Sequence, residues 1–191
     1  MSRISTFKRG GVHPAEGKIS SHAAILDAPL LDRYVVPLAM HIGAPAKLLV
    51  QTGQTVLKGQ RLAEPGGFVS SAIHSPTSGT VKEIATCLSV MGTQIPAVVI
   101  ESDGNDTICN DLTPIEDWQN ADPAVLKQRV ADAGIVGMGG AAFPTHVKLS
   151  PPPEKKIDIL IINGVECEPC LTADHRLMLE SPEQIVKGIL I

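Results

Sequence analysis

The chain has 191 residues, 43% of them hydrophobic and 19% charged, with a formal net charge of −4. That length supports a real core, in one large domain or two small ones. The 16 Lys and Arg residues are scattered and aromatics are only 3%, which argues against a nucleic-acid surface or a base-stacking platform. The opening MSRISTFKRGG carries basic residues but no apolar run behind them, so it does not read as a signal peptide. No stretch approaches the roughly 20 apolar residues that span a bilayer, so any membrane role comes through a partner. The four cysteines, Cys87, Cys109, Cys167 and Cys170, are too few and too unevenly spaced for a disulfide scaffold. They read as reduced thiols in a cytosolic setting.

Up to about residue 100 the chain is a series of short β-branched runs broken by Gly and Pro: YVVPLAM, KLLVQTG, TVLKGQRLAE, GTVKEIA and IPAVVIES. Runs at this spacing predict a small antiparallel sandwich or barrel. Gly53 and Gly59 mark turns between strands, and Ser78-Gly79 makes a tight turn before the next. The polar, turn-forming ESDGNDTICNDLTPIEDW then suggests a domain boundary. We place a β domain at residues 1–110 and an α/β domain at residues 111–191.

In the second domain Asp122-Pro123 reads as an N-cap followed by Pro at the first helical position, with Gly134 as the stop. GMGGAAFPTHVK follows, ending in a short helical or turn segment at Val147-Lys148. IDILIIN, residues 157–163, predicts a strand buried on both faces of a parallel sheet. Ser181-Pro182-Glu183 predicts a capped helix whose apolar positions Ile185, Val186, Ile189 and Leu190 run to the last residue. Ending there without a stop signal, the sequence reads as a fragment of a longer protein.

Three constellations carry chemistry. Gly137, Gly139 and Ala142 satisfy G-x-G-x-x-G/A, but a helix rather than a strand precedes them, so the dinucleotide fingerprint is weak. The physics beneath the pattern stands: consecutive glycines let amide N–H groups converge on an anion, and a flat ring can lie where no Cβ intrudes. A tight turn with no ligand is the competing reading. At the end of the predicted strand, Asn163, Glu166 and Glu168 stand where ligands gather in open α/β sheets, or form a solvated acidic turn. Cys167-Glu168-Pro169-Cys170 with His175 admits zinc, dithiol chemistry, or a buried Cys167 beside an incidental Cys170; the last is preferred. The six histidines, His13, His22, His41, His74, His146 and His175, form no H-x-x-x-H pair and read as surface or turn residues. Trp118 and Tyr34 read as packing groups.

VQTGQTVLKGQRLAE followed by IHSPTSGTVKEI resembles the barrel-sandwich hybrid of lipoyl and biotinyl carrier domains. The segment matching their modified hairpin tip, EPGGFVSSAIHSP, has no lysine, so covalent carriage is excluded there. A non-catalytic docking or scaffold module of carrier type is the alternative function. GMGGAAFPTHVK followed by NGVECEP is similar to the flavin-binding signature shared by the NADH-oxidising subunit of complex I and the RnfC subunit of the Rnf electron-transport complex. With FKRGGVHP and HSPTSGTV ahead of it, the order of motifs resembles the RnfC family over nearly the whole chain. That resemblance implies a lipoyl-like barrel-sandwich hybrid β domain followed by the start of a complex I flavin-subunit-like α/β FMN domain.

It also implies non-covalent FMN, with NADH passing a hydride to it. Gly137, Gly139, Gly140 and Ala141 would line the FMN, and Lys148 would face its phosphate. Asn163 and Glu166 would contact the flavin or its ribityl chain, and Glu168 the nicotinamide nucleotide. The protein positions the flavin and supplies no catalytic acid, nucleophile or metal ligand. Met138, Ala142 and Val165 depart from the Arg, Gly and Asp of the complex I pattern. By the same resemblance, a C-terminal part beyond Ile191 holds [4Fe–4S] clusters. The intact oxidoreductase subunit is peripheral, on the cytoplasmic face of the inner membrane. It exchanges electrons between NADH and ferredoxin beside other Rnf subunits in an ion-translocating complex.

Overall fold

A computed structural model describes residues 14–111 and 113–191. FKRGGVHP, apart from its last residue, and His13 lie outside the described residues. The contacts divide the chain into two compact units, and each is described by itself.

The larger unit, Pro29–Lys156, holds every strand found among the described residues. They are β1 (Arg33–Pro37), β2 (Lys47–Leu48), β3 (Thr55–Val56), β4 (Arg61–Glu64), β5 (Ile73–His74), β6 (Gly79–Leu88) and β7 (Gln94–Ser102). One sheet runs β1-β7-β6-β3 and the other β2-β4-β5, all pairs antiparallel. β-Branched side chains suit this pleated, half-buried surface. In the central β7, Ala97, Val98, Val99 and Ile100 are all buried, as a strand covered on both faces requires. Val36, Val56, Leu62, Ile73, Val81, Val98 and Ile100 come from both sheets into one core, and Tyr34 packs against it. This is the barrel-sandwich architecture that the alternating runs predict. The runs did not announce β5, whose two residues are too short to show a period.

The polar stretch after β7 is docked on the barrel. The Lys58 amide donates to the Thr107 carbonyl at 2.9 Å, and the Cys109 amide donates to the Lys58 carbonyl at 2.9 Å. Cys109 is buried, and Lys58 pairs with Asp106. Trp118, half-buried, opens a short 3-10 helix at Trp118–Asn120. Helix α1 (Pro123–Asp132) starts as the sequence predicts, with the Asp122 carboxylate accepting from the Ala124 amide at 2.8 Å. Gly134 ends it at φ +69, its Cα so close to β5 that a Cβ would sit 2.4 Å from the Ala72 carbonyl oxygen. Arg61 of β4 donates to both the carboxylate and the carbonyl of Asp132, which places a cation at the carbonyl end of the helix. His74 lies alongside, half-buried on β5 rather than on a surface turn; burial first, then the Arg61 charge, pushes its imidazole below the ordinary value. α2 (Thr145–Lys148) closes the unit's helices.

The smaller unit is made of residues 1–28 and 157–191. It contains α3 (Ala173–Glu180) and α4 (Pro182–Leu190). Residues 157–163 form no strand, contrary to the sequence expectation; Ile157, Ile159, Leu160, Ile161 and Ile162 are all exposed. β-Branched side chains favour an extended backbone, but a strand also needs a neighbour for its N–H and C=O groups, and no strand pairs with this run among the described residues. Ser181 occupies the N-cap of α4 without a side-chain cap bond. It also ends α3, its amide donating to the Leu177 carbonyl at 2.9 Å, so one residue serves two helices. Among the described residues no helix is long and apolar enough to cross a membrane.

Gly134→Ala should lower stability by about 2–4 kcal/mol, from left-handed strain plus collision with Ala72. Gly53→Ala, at φ +84 with nothing within 4 Å of its Cβ position, should cost only about 1 kcal/mol. Urea midpoints of the two variants check the contrast.

Candidate functional site

Residues 137–142 form a loop whose neck is closed by the backbone. The Gly137 amide donates to the Phe143 carbonyl at 2.9 Å, the Thr145 amide donates to the Ile135 carbonyl at 3.0 Å, and Val136 bridges to Pro144. Pro144 is buried, which anchors the returning strand of the loop. On one side the Ala141 carbonyl accepts from the Ile42 amide at 3.2 Å, tying the loop to the barrel. Ala142 sits at φ +48, a left-handed conformation that costs an L residue about 1–2 kcal/mol and that glycine adopts freely.

Between these anchors the loop is open. A Cβ added at Gly139 or Gly140 would meet nothing within 4 Å, and Met138 between Gly137 and Gly139 is exposed. Among the described residues, no acceptor meets the amides of residues 138–142. At Gly137 the Lys148 Nζ lies 2.9 Å from where a Cβ would be. One turn of α2 thus returns an ammonium to the start of the glycine run. Unspent amides, bare Cα positions and a cation offer an anion a receptor and a flat ring an unobstructed floor. This meets the requirement of a flavin phosphate and ring on the loop's own geometry.

The remaining predicted residues lie in the smaller unit. The Asn163 side chain accepts from the Val165 amide at 3.0 Å, an Asx turn. Glu166 is the best-held carboxylate: Lys18 donates to its Oε2 at 3.1 Å, and the amides of Asp174 and His175 donate to its Oε1 at 3.1 and 3.4 Å. It therefore caps the start of α3, a task for acidic groups at helix N-termini. Burial pushes its carboxyl up, but the Lys18 ammonium and the two amides outweigh this and hold it below the ordinary value. Lys18 also donates to the carbonyls of Glu168 and Leu171, the latter at 2.6 Å. The Glu168 side chain is exposed.

Sequence reasoning missed Lys18, because a partner 148 positions away leaves no local signal. It also missed α3, whose capping carboxylate comes from outside the helix, ahead of its first turn. Cys167 is exposed, correcting the expectation that it is buried: it precedes the turn at Pro169-Cys170 and packs into no core. Cys170 is exposed at φ +70. Its sulfur lies 2.9 Å from the Cβ position of Gly17, and its amide donates to the Glu16 carbonyl at 2.7 Å. No group of three or more His, Cys, Asp or Glu is placed to hold a metal among the described residues. His41 and His146, like His74, are half-buried instead of free on the surface. His41 Nε2 accepts from the Ser71 amide at 3.1 Å, and His146 Nε2 donates to the Phe68 carbonyl at 3.3 Å.

Residues 5–105 match the family described as the RnfC barrel sandwich hybrid domain, and residues 130–191 match the Nuo51 FMN-binding domain. The RnfC subunit of the Na(+)-translocating ferredoxin:NAD(+) oxidoreductase complex of Acetobacterium woodii is 45% identical over 185 residues, 96% of this chain and 42% of the relative. Its counterpart in the proton-translocating ferredoxin:NAD(+) oxidoreductase complex of Clostridium ljungdahlii is 44% identical over 184 residues, 96% of this chain and 40% of the relative. The counterpart in the ion-translocating oxidoreductase complex of Pseudomonas aeruginosa is 46% identical over 191 residues, 99% of this chain and 24% of the relative. The chain thus spans less than half the length of these relatives.

Because its folded carboxyl is held down, Glu166 contributes stability that is complete above the unfolded value near 4.5. That contribution fades as the pH falls through the depressed folded value. Glu166→Gln should remove this acid limb and fray α3, followed by amide exchange of residues 173–176 from neutral to acid pH. Lys18→Met should give a smaller effect in the same direction.

Proposed function

Since the chain belongs to the RnfC family, we propose that it carries part of the FMN- and NADH-binding site of an electron-transport subunit. The observation supporting this most directly is the open loop at 137–142, with unspent amides at 138–142 and the Lys148 ammonium at its mouth. When bound, FMN supplies the redox chemistry, taking a hydride from NADH and releasing electrons singly. The chain's own task is to hold and orient. Gly139 and Gly140 leave the floor clear, Gly137 shapes the neck, and Ala141 fixes the loop to the barrel through Ile42. Lys148 sets a positive charge against the phosphate.

Asn163 and Glu166 are assigned to the flavin or its ribityl chain, and Glu168 to the nicotinamide nucleotide. Glu166 meets its assignment with the lone pair left free by Lys18 and the α3 amides, so its orientation is set before any ligand arrives. We keep the division of the chain at 110/111. The names of the relatives support electron exchange between NADH and ferredoxin within an ion-translocating membrane complex. On this reading the intact protein is peripheral, on the cytoplasmic face, attached through other Rnf subunits, with [4Fe–4S] clusters in its C-terminal part.

Titrating FMN into the complete subunit and following flavin fluorescence tests the reading. Saturable binding is expected. Gly139→Asp should weaken it by about 100-fold or more, since it sets a carboxylate against the phosphate. Lys148→Met should weaken it about tenfold through loss of a charged hydrogen bond. Absence of FMN binding in the unaltered subunit would favour the scaffold alternative.

A further inference from the structure

Of the Phe, Tyr and Trp side chains among the described residues, Phe68 alone is exposed, at 69%. It is not on a slack loop. A Cβ at Gly66 would lie 2.0 Å from the Pro45 carbonyl oxygen, and one at Gly43 would lie 2.0 Å from that of Val69, so the two backbone segments touch directly. Ser70, fully buried, accepts from the Gly66 amide at 2.9 Å and donates to the Ala44 carbonyl at 2.8 Å; the Ala44 amide donates to the Val69 carbonyl at 2.9 Å. Residues 66–70 therefore form a rigid pedestal with an apolar ring standing out from it.

The pedestal is joined to the glycine loop from two directions. The Phe68 ring meets the His146 ring edge-on at 6.3 Å and 88°, and its carbonyl accepts from His146 Nε2; His146 stands two residues before Lys148. The segment 42–44 that braces Val69 also holds the Ala141 carbonyl through Ile42. An exposed phenyl ring offers no hydrogen bond. What it recognises is another planar ring, by stacking.

We infer that Phe68 of the barrel is a stacking residue for a ring of the nicotinamide dinucleotide, so that the barrel furnishes one wall of the nucleotide site. This rests on the flavin reading of the glycine loop and adds to it a residue from outside that loop. The shared chemistry is an aromatic heterocycle on a nucleotide, either the adenine or the nicotinamide. Preorganisation is the reason for the interlocked glycines and Ser70: a ring already fixed loses little freedom when a base settles on it.

The test uses the complete subunit loaded with FMN, titrated calorimetrically with ADP-ribose and, separately, with nicotinamide mononucleotide. Phe68→Ala and Phe68→Leu should weaken one of the two by about tenfold, the size of a lost base stack, and the affected probe identifies the ring. Phe68→Trp should retain binding, and FMN affinity should be unchanged in all three. Loss of stacking with Leu but not Trp separates ring recognition from mere apolar bulk. If the unaltered subunit binds FMN but Phe68→Ala binds both probes as well as before, or if neither probe binds at all, the inference is overturned while the flavin reading stands. If the unaltered subunit does not bind FMN, the flavin reading fails and takes this inference with it.

Discussion

The hydrogen bond from the Gly137 amide to the Phe143 carbonyl, with the Val136–Pro144 bridge beside it, is the constraint on which the candidate site depends. It closes the loop across its neck, so the chain between is held at both ends without using its own polar groups. Backbone N–H groups normally find acceptors within the protein. Here those of residues 138–142 stand unspent around a floor that has no Cβ at Gly139 and Gly140. Ala142 adds a cost at φ +48, at a position where the related flavin signature has glycine. Strain of that kind persists when the surrounding structure over-determines it, and here the tethers at Ile42 and Phe143 do so.

The barrel has a corresponding role. Its core, drawn from both sheets, fixes β4 and β5, and these receive the end of α1 through Arg61, Asp132 and the close approach of Gly134 to Ala72. The helix that leads into the glycine loop is therefore seated on the sheet before the loop begins. At the tip where carrier domains present lysine, this chain has Phe68 on a locked backbone. The same scaffold that serves covalent attachment elsewhere here supplies a wall and a base.

Much of this was legible in the sequence, for physical reasons that can be named. The β-branched runs foretold β1, β6 and β7 because side-chain period and burial coincide there. Asp122-Pro123 and Gly134 foretold the limits of α1 because caps and left-handed stops are local chemistry. The glycine loop announced itself by composition, and the order of motifs announced the family. What escaped is non-local. Lys18 and Glu166 meet across 148 positions, and the bare aromatic count argued against a stacking platform without saying that Phe68 is held outward. The reading of 157–163 as a buried strand failed because hydrophobicity supplies the wish for burial but not the neighbouring strand that a ladder requires. Cys167 was misplaced for a related reason: a small apolar residue is buried only where a core reaches it.

Amide hydrogen exchange of the complete subunit, followed with and without FMN, addresses the glycine loop most directly. The account predicts slowed exchange of residues 138–142 on adding FMN, while β6 and β7, remote in role and already bonded, keep their rates. Unchanged exchange at 138–142 in a subunit that has bound FMN would contradict it, because the unspent amides would then not be what the cofactor meets.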